Sequence, residues 1–135
     1  VVLDTMLFVY FFEDVSKLAD DCEALFKGMA NGLFEGVATP ITLAELLVKP
    51  LREGRPDIAT RYRNALAGMP NLKLSEIDHT VGCMAGALRA KYKLPLPDML
   101  QVATATQSAR PTLITNDLEL KKVEDAEVFL IGDLL

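Results

Sequence analysis

Short apolar runs alternate with amphipathic helical stretches along the whole chain, and that alternation admits few folds. Val1-Val2-Leu3 reads as the end of a strand, and Thr5 to Phe12 as a short apolar helix. Residues 17–30 place Leu18, Cys22, Leu25, Phe26 and Met29 at helical spacing, with Asn31-Gly32 as a stop signal. Gly36 to Thr39 reads as a second strand ending at Pro40. Thr42 then opens a helix with Glu45 three residues on, a capping-box pattern. Leu43, Leu46, Leu47 and Leu51 form its apolar face, and Pro50 is expected to kink or end it. Another helix starts at Arg55-Pro56-Asp57, with Ile58, Tyr62, Ala65, Leu66 and Met69 as its stripe.

The second half repeats the scheme. Asn71 to Ser75 is a strand candidate, and Asp78 caps a helix carrying Val81, Ala85, Leu88 and Tyr92, in which Gly82 and Gly86 read as packing glycines. Pro97 opens a helix whose Ala103 and Ala105 allow close packing. Thr112 to Thr115 and Val128 to Ile131 complete the strands. Strands separated by helices predict an α/β fold in which a parallel sheet is covered on both faces. The length, 135 residues, suits one domain over 1–135.

Bulk properties narrow the class further. Half the residues are hydrophobic and they are spread along the chain, which argues against disorder. The longest apolar run, Met6 to Phe12, is far shorter than the roughly 20 residues that span a bilayer. With no signal peptide visible, a soluble, cytoplasmic protein with no membrane contact is expected. The chain starts at Val1, directly in an apolar run, so a few residues are expected before it. Cys22 and Cys83 fall on the apparent apolar sides of helices and are expected to be buried free thiols. With His79 as the only histidine, they give no zinc spacing. His79 itself, beside the cap Asp78, is expected at the surface. There is no nucleophile elbow, Walker loop or Gly-rich dinucleotide turn.

The net charge of −5 is unevenly distributed. Residues 1–45 carry two Lys against eight acids, and residues 117–135 two Lys against six acids. Residues 46–116 carry ten Lys and Arg against five acids. A basic middle in an acidic protein can hold a phosphate backbone locally. Lys49, Arg52 and Arg55, followed by Arg61 and Arg63, are the first candidates for that contact; Arg89, Lys91 and Lys93 come next.

Four acids stand out by position. Asp4 ends the first strand, and Glu45 lies early in the helix after the second. Asp98 follows Pro97 in the first turn of its helix, and Asp117 follows the strand Thr112 to Thr115. In a parallel α/β fold all four places come to the carboxyl rim of the sheet, where sites form. Clustered carboxylates repel one another unless protons or a cation neutralise them. An all-oxygen set suits Mg²⁺ or Mn²⁺.

Leu3-Asp4-Thr5, Thr42-Leu43-Ala44-Glu45-Leu46-Leu47, Leu96-Pro97-Asp98 running into Gln101-Val102-Ala103-Thr104-Ala105, and Leu113-Ile114-Thr115-Asn116-Asp117 together resemble the PIN domains. Within them, the chain resembles the VapC-type toxins of bacterial and archaeal toxin–antitoxin pairs. The last two segments are the most specific, and order and spacing extend the resemblance over nearly the whole chain. The resemblance implies a three-layer α/β/α sandwich with a central parallel sheet and a Mg²⁺- or Mn²⁺-dependent endoribonuclease that leaves a 5′-phosphate and a 3′-hydroxyl. The family's acidic quartet falls on Asp4, Glu45, Asp98 and Asp117, as catalytic and metal-holding residues. Thr5 and Thr115 would be supporting hydroxyls, with Asn116 further out. RNA would be the substrate, a cognate antitoxin the protein partner, and a homodimer the expected assembly. One position departs: many relatives have Asn after Asp-Thr, where this chain has Met6, which cannot bind metal or phosphate through oxygen. The competing class is a non-catalytic PIN-like scaffold or binding module.

Overall fold

In a computed structural model, which describes residues 1–13 and 17–134, the sheet has five strands, all parallel, in the order β3-β2-β1-β4-β5. Along the chain the elements are β1 (Val2–Leu3), α1 (Thr5–Glu13), α2 (Ala19–Ala30), β2 (Gly36–Ala38), α3 (Pro40–Arg52), α4 (Pro56–Ala67) and β3 (Leu72–Leu74). They continue with α5 (His79–Tyr92), α6 (Leu96–Thr106), β4 (Thr112–Thr115), a 3₁₀ turn (Leu118–Lys122), β5 (Glu127–Leu130) and a second 3₁₀ turn (Ile131–Asp133). The chain builds outward from β1 through β2 to β3, then returns to add β4 and β5 on the other side. The direction of winding therefore changes between β1 and β4, and a crevice opens at their carboxyl ends.

Alternation along the strands divides the core into two layers. Val2, Leu113 and Val128 face one side and pack with Val81, Ala85 and Leu88 of α5 and Met99, Val102 and Ala103 of α6. Their neighbours Leu3 and Ile114 face the other side and pack with Leu7 and Phe8 of α1, Cys22, Phe26 and Met29 of α2, Leu46 of α3 and Leu66 of α4. The result is the expected α/β/α sandwich. Gly36 sits where the second layer is tightest: a Cβ there would lie 2.5 Å from Met29 Sδ and 3.0 Å from Leu3 Cδ1.

Several local expectations are corrected. Helix α3 starts at Pro40 rather than Thr42, because proline's fixed φ and missing N–H suit a first helical position. The capping box of Thr42 and Glu45 does not form, and Thr42 is fully buried inside the helix. The helix also continues two residues past Pro50, and Leu51 of its anticipated apolar face is exposed. Cys22 is buried as expected, but Cys83 is exposed, since α5 buries only Val81, Ala85 and Leu88. Gly82 and Gly86 flank that narrow stripe and face open space, so they are not packing glycines. Ala65 of α4 is exposed as well, while Ala59 and Leu66 are buried. Among the described residues no helix is long and apolar enough to cross a membrane.

Candidate active site

The carboxyl end of β1 delivers Asp4 to the crevice. Its amide extends the β1–β4 ladder by donating to the Ile114 carbonyl at 3.0 Å, which fixes the backbone. Its side chain is 8 % exposed, a costly place for a carboxylate without partners. Two donors meet it: the Thr5 amide on Oδ1 at 2.8 Å and the Thr115 hydroxyl on Oδ2 at 2.6 Å. Burial pushes the Asp4 carboxyl above its ordinary pKa, the two hydrogen bonds oppose that rise, and the charge of Asp117 adds to it.

Thr115, at the end of β4, ties two acids together. Besides donating to Asp4, its buried Oγ1 accepts from the Asp117 amide at 3.0 Å. Asp117 caps the following 3₁₀ turn, its Oδ1 accepting from the Glu119 amide at 3.0 Å. Glu45 comes from α3 and accepts the Thr5 hydroxyl on Oε1 at 2.7 Å. The local alternative for Glu45, a backbone cap with Thr42, does not form; the bond from Thr5 holds it at the cleft instead.

Asp98 stands half-buried in the first turn of α6. Its carboxyl is pushed up from 3.8 to about 6, first by burial and then by the charges of Asp4, Asp117 and Glu45. All four acids line one cleft of about 500 Å³. Its other wall is apolar and aromatic, made by Met6, Val9 and Tyr10 of α1, with Asn116 at the rim donating from Nδ2 to the Tyr10 hydroxyl at 3.0 Å. Met6, whose side chain offers no oxygen, thus lines the cleft. A larger depression, about 890 Å³, lies at the opposite, amino-terminal edge around Arg110, Pro111 and Glu127, away from all four acids.

The donor set fits a hard cation in its chemistry, since every candidate ligand is oxygen. Among the described residues, no three His, Cys, Asp or Glu side chains draw together closely enough to hold an ion by themselves.

The basic residues lie elsewhere. None lines the acidic cleft. Lys49 sits one turn beyond Glu45 and pairs with Glu13 at 3.4 Å, while Arg55 forms a forked pair with Asp57 at 3.1 and 3.0 Å. Arg52, Arg61 and Arg63 are exposed and have no ion-pair partner among the described residues. His79 is exposed, as expected.

Sequence reading missed two residues near the site. Gln101 is 1 % exposed and bonded to Thr39 and Thr42, and Tyr10 forms the aromatic wall. A polar Gln inside the apolar run Met99 to Ala105 was the signal for the first. Tyr10 gave none, being one of several apolar and aromatic residues in α1.

Thr115→Val tests how the buried acid is held. The variant keeps the shape of the side chain, leaves the Asp117 amide without its acceptor and removes a charge-assisted bond to Asp4, the last of which is expected to cost about 2 kcal/mol at neutral pH. The bond favours ionised Asp4, so the loss should be full at neutral pH and shrink as pH falls and Asp4 takes up a proton. Urea unfolding at several pH values measures it. A loss that does not change with pH would assign the effect to packing and the Asp117 amide rather than to the Asp4 bond.

Fold and site together define an α/β/α protein with a carboxylate-lined cleft at the switch point of a parallel sheet, an arrangement suited to a divalent cation beside a phosphate. A family model for the PIN domain matches residues 1–126, and the chain belongs to that family, whose members are typically nucleases. Solved structures agree in fold. A toxin–antitoxin complex from Klebsiella pneumoniae is 23 % identical with a TM-score of 0.73, covering 97 % of both chains. VapBC2 from Rickettsia felis, bound to a DNA fragment from its promoter, is 17 % identical with a TM-score of 0.77 over 96 % of both. FitAcB from Neisseria gonorrhoeae is 19 % identical with a TM-score of 0.75, covering 98 % of this chain and 99 % of the other. A comparison with curated protein sequences gives no match.

Proposed function

We propose that the chain is a divalent-metal-dependent endoribonuclease and the toxin of a type II toxin–antitoxin pair. One observation carries the reading: Asp4, Glu45, Asp98 and Asp117, from four separate elements, line a single cleft, where burial first and the other three charges second raise Asp98 to about 6. A structural role gives no reason to gather four like charges at a cost. Membership of the PIN family and the fold shared with toxin–antitoxin complexes support it.

Bound among these acids, Mg²⁺ or Mn²⁺ would activate a water and offset the charge that develops on the phosphoryl group. The chain's own contribution is orientation. Thr5 aims Glu45, Thr115 aims Asp4, and the Thr115 hydroxyl sets the turn that presents Asp117. Met6, Val9 and Tyr10 form one wall of the cleft. A cognate antitoxin would cover this cleft, and a homodimer is the proposed assembly.

The test is to sequence RNA ends in cells after induction of the native chain and of Asp4→Asn. New ends bearing 5′-phosphates are expected with the native chain alone. Identical ends from both would sink the reading. The competing scaffold reading draws on the absence of three converging acids among the described residues, and calorimetry decides it: a scaffold has weak or no Mn²⁺ affinity, a nuclease a measurable one.

RNA needs a basic surface on a protein of net charge −5. Lys49, Arg52 and Arg55 are proposed for it, since they follow Glu45 on α3 and the turn after it. In a catalytically dead background, removing one phosphate-binding side chain should lower the salt slope of RNA binding by roughly one unit. Arg52→Ala with Arg55→Ala is therefore expected to lower it by about two. An unchanged slope would move the RNA surface elsewhere, with Arg89, Lys91 and Lys93 the next candidates.

A further inference from the structure

A line of hydrogen bonds, buried except at its last link, runs by way of α6 and α3 into the cleft, and the chemistry described so far leaves its origin unused. It begins at Thr39, the last residue before α3, whose hydroxyl donates to Gln101 Oε1 at 2.8 Å. The other end of the same amide, Nε2, donates to Thr42 Oγ1 at 3.0 Å. The Thr42 and Thr5 hydroxyls lie 3.3 Å apart, and Thr5 donates to Glu45 Oε1 at 2.7 Å. Thr39, Thr42 and Gln101 are each no more than 3 % exposed.

The direction of this line follows from its two ends. Thr5 has one hydroxyl proton, and the shorter contact, 2.7 Å to Glu45 against 3.3 Å to Thr42, takes it. The proton between the two hydroxyls must then come from Thr42. Thr42 has its donor committed and needs one, which only the NH₂ of Gln101 supplies. A flipped amide would present oxygen to Thr42 and break the sequence. The orientation of a buried glutamine and the seating of Glu45 are therefore linked through three successive bonds, each polarising the next.

The placement of Gln101 gives this a consequence. It follows Asp98 by three residues on α6, one turn along and on the same face. One side chain thus fastens the helix carrying Asp98 to the helix carrying Glu45. We infer that Gln101 is a positioning residue that sets the spacing of Asp98 and Glu45 through Thr42 and Thr5, and so tunes cation affinity without touching the cation. This rests on the nuclease reading of the cleft.

Gln101→Leu and Thr42→Val each break the line and leave buried hydroxyls or an amide unpartnered, where none of the described residues has such an orphan now. Outer partners of metal ligands typically change affinity by about 10- to 100-fold. Each variant is expected to weaken Mn²⁺ binding, measured by calorimetry on folded protein, by about tenfold. RNA cleavage should lose kcat with KM little changed. Because both act through one line, the double variant should be no weaker than either single one. Thr42→Ser keeps the hydroxyl and should recover most of the affinity. A merely structural role would lower the melting temperature and leave the Mn²⁺ affinity of the folded fraction intact.

If Gln101→Leu does not fold, Gln101→Met, closer in shape, and the Thr42→Val and Thr42→Ser pair carry the same test. Folded variants that bind Mn²⁺ like the native chain, or a double variant whose losses simply add, overturn the inference while the nuclease reading stands. A native chain with no Mn²⁺ affinity overturns the nuclease reading, and the inference with it.

Discussion

Asp98→Asn is expected to reduce RNA cleavage by at least about a hundredfold while leaving the fold intact. The substitution is close in size and removes one charged oxygen from the cleft. Its effect on stability should have the opposite sign. In the folded chain the Asp98 carboxyl is held at about 6 against an ordinary 3.8, by burial first and three neighbouring carboxylates second. A raised folded pKa means that the ionised group costs stability. The cost is absent below about pH 4, grows between pH 4 and 6, and is constant above. The full shift would be worth about 3 kcal/mol. Solvent reaches half of this site and the helix start favours a negative charge, so about 1 kcal/mol remains. With EDTA present, the variant should therefore be about 1 kcal/mol more stable than the native chain at pH 7, and no more stable at pH 4. Denaturant unfolding at both pH values measures this, beside a cleavage assay in Mn²⁺. Full nuclease activity in the variant would refute a catalytic role for Asp98.

That contrast shows what the sequence revealed. Asp4 was legible because an acid between an apolar strand and an apolar helix has no ordinary reason to be there. Asp98 and Asp117 were legible because Pro97 and the run Thr112 to Thr115 marked a helix start and a strand end, and a parallel fold sends both to one rim. The two faces of the sheet were legible too, since a period of two along short strands leaves little choice. Glu45 was placed on the correct helix and at the cleft, and only its local alternative, a capping box with Thr42, does not form. Local pattern pairs a hydroxyl with a carboxylate three residues on, whereas Pro40 had already started the helix and freed both groups for contacts across the fold. The same limit hid Gln101, whose partners are 62 and 59 residues away. Cys83, Gly82 and Gly86 were misjudged because α5 packs by one narrow stripe, and periodicity alone does not give the width of a buried face.

The largest stability loss should come from the helix that links core and cleft. Helix α1 places Leu7 and Phe8 in the core, both fully buried, while Met6, Val9 and Tyr10 line the cleft. The Phe8 ring packs against Phe26 at 5.0 Å and Phe12 at 6.4 Å between centroids. Phe8→Ala removes that filling and leaves a cavity which α2 and the sheet cannot close without moving. The expected cost is about 4 kcal/mol. Against a total of about 5–15 kcal/mol for a domain, this is a fall in melting temperature of roughly 15 °C. The effect should also reach the site, because α1 begins at Thr5, whose amide and hydroxyl hold Asp4 and Glu45. A loosened helix is thus expected to weaken Mn²⁺ binding in the fraction that remains folded. Tyr10→Phe is the control on the same helix. It removes only the hydrogen bond from Asn116 at the surface and should change stability by no more than about 0.5 kcal/mol. A Phe8→Ala variant within about 1 kcal/mol of the native chain would mean that α1 is seated by its neighbours rather than by this ring.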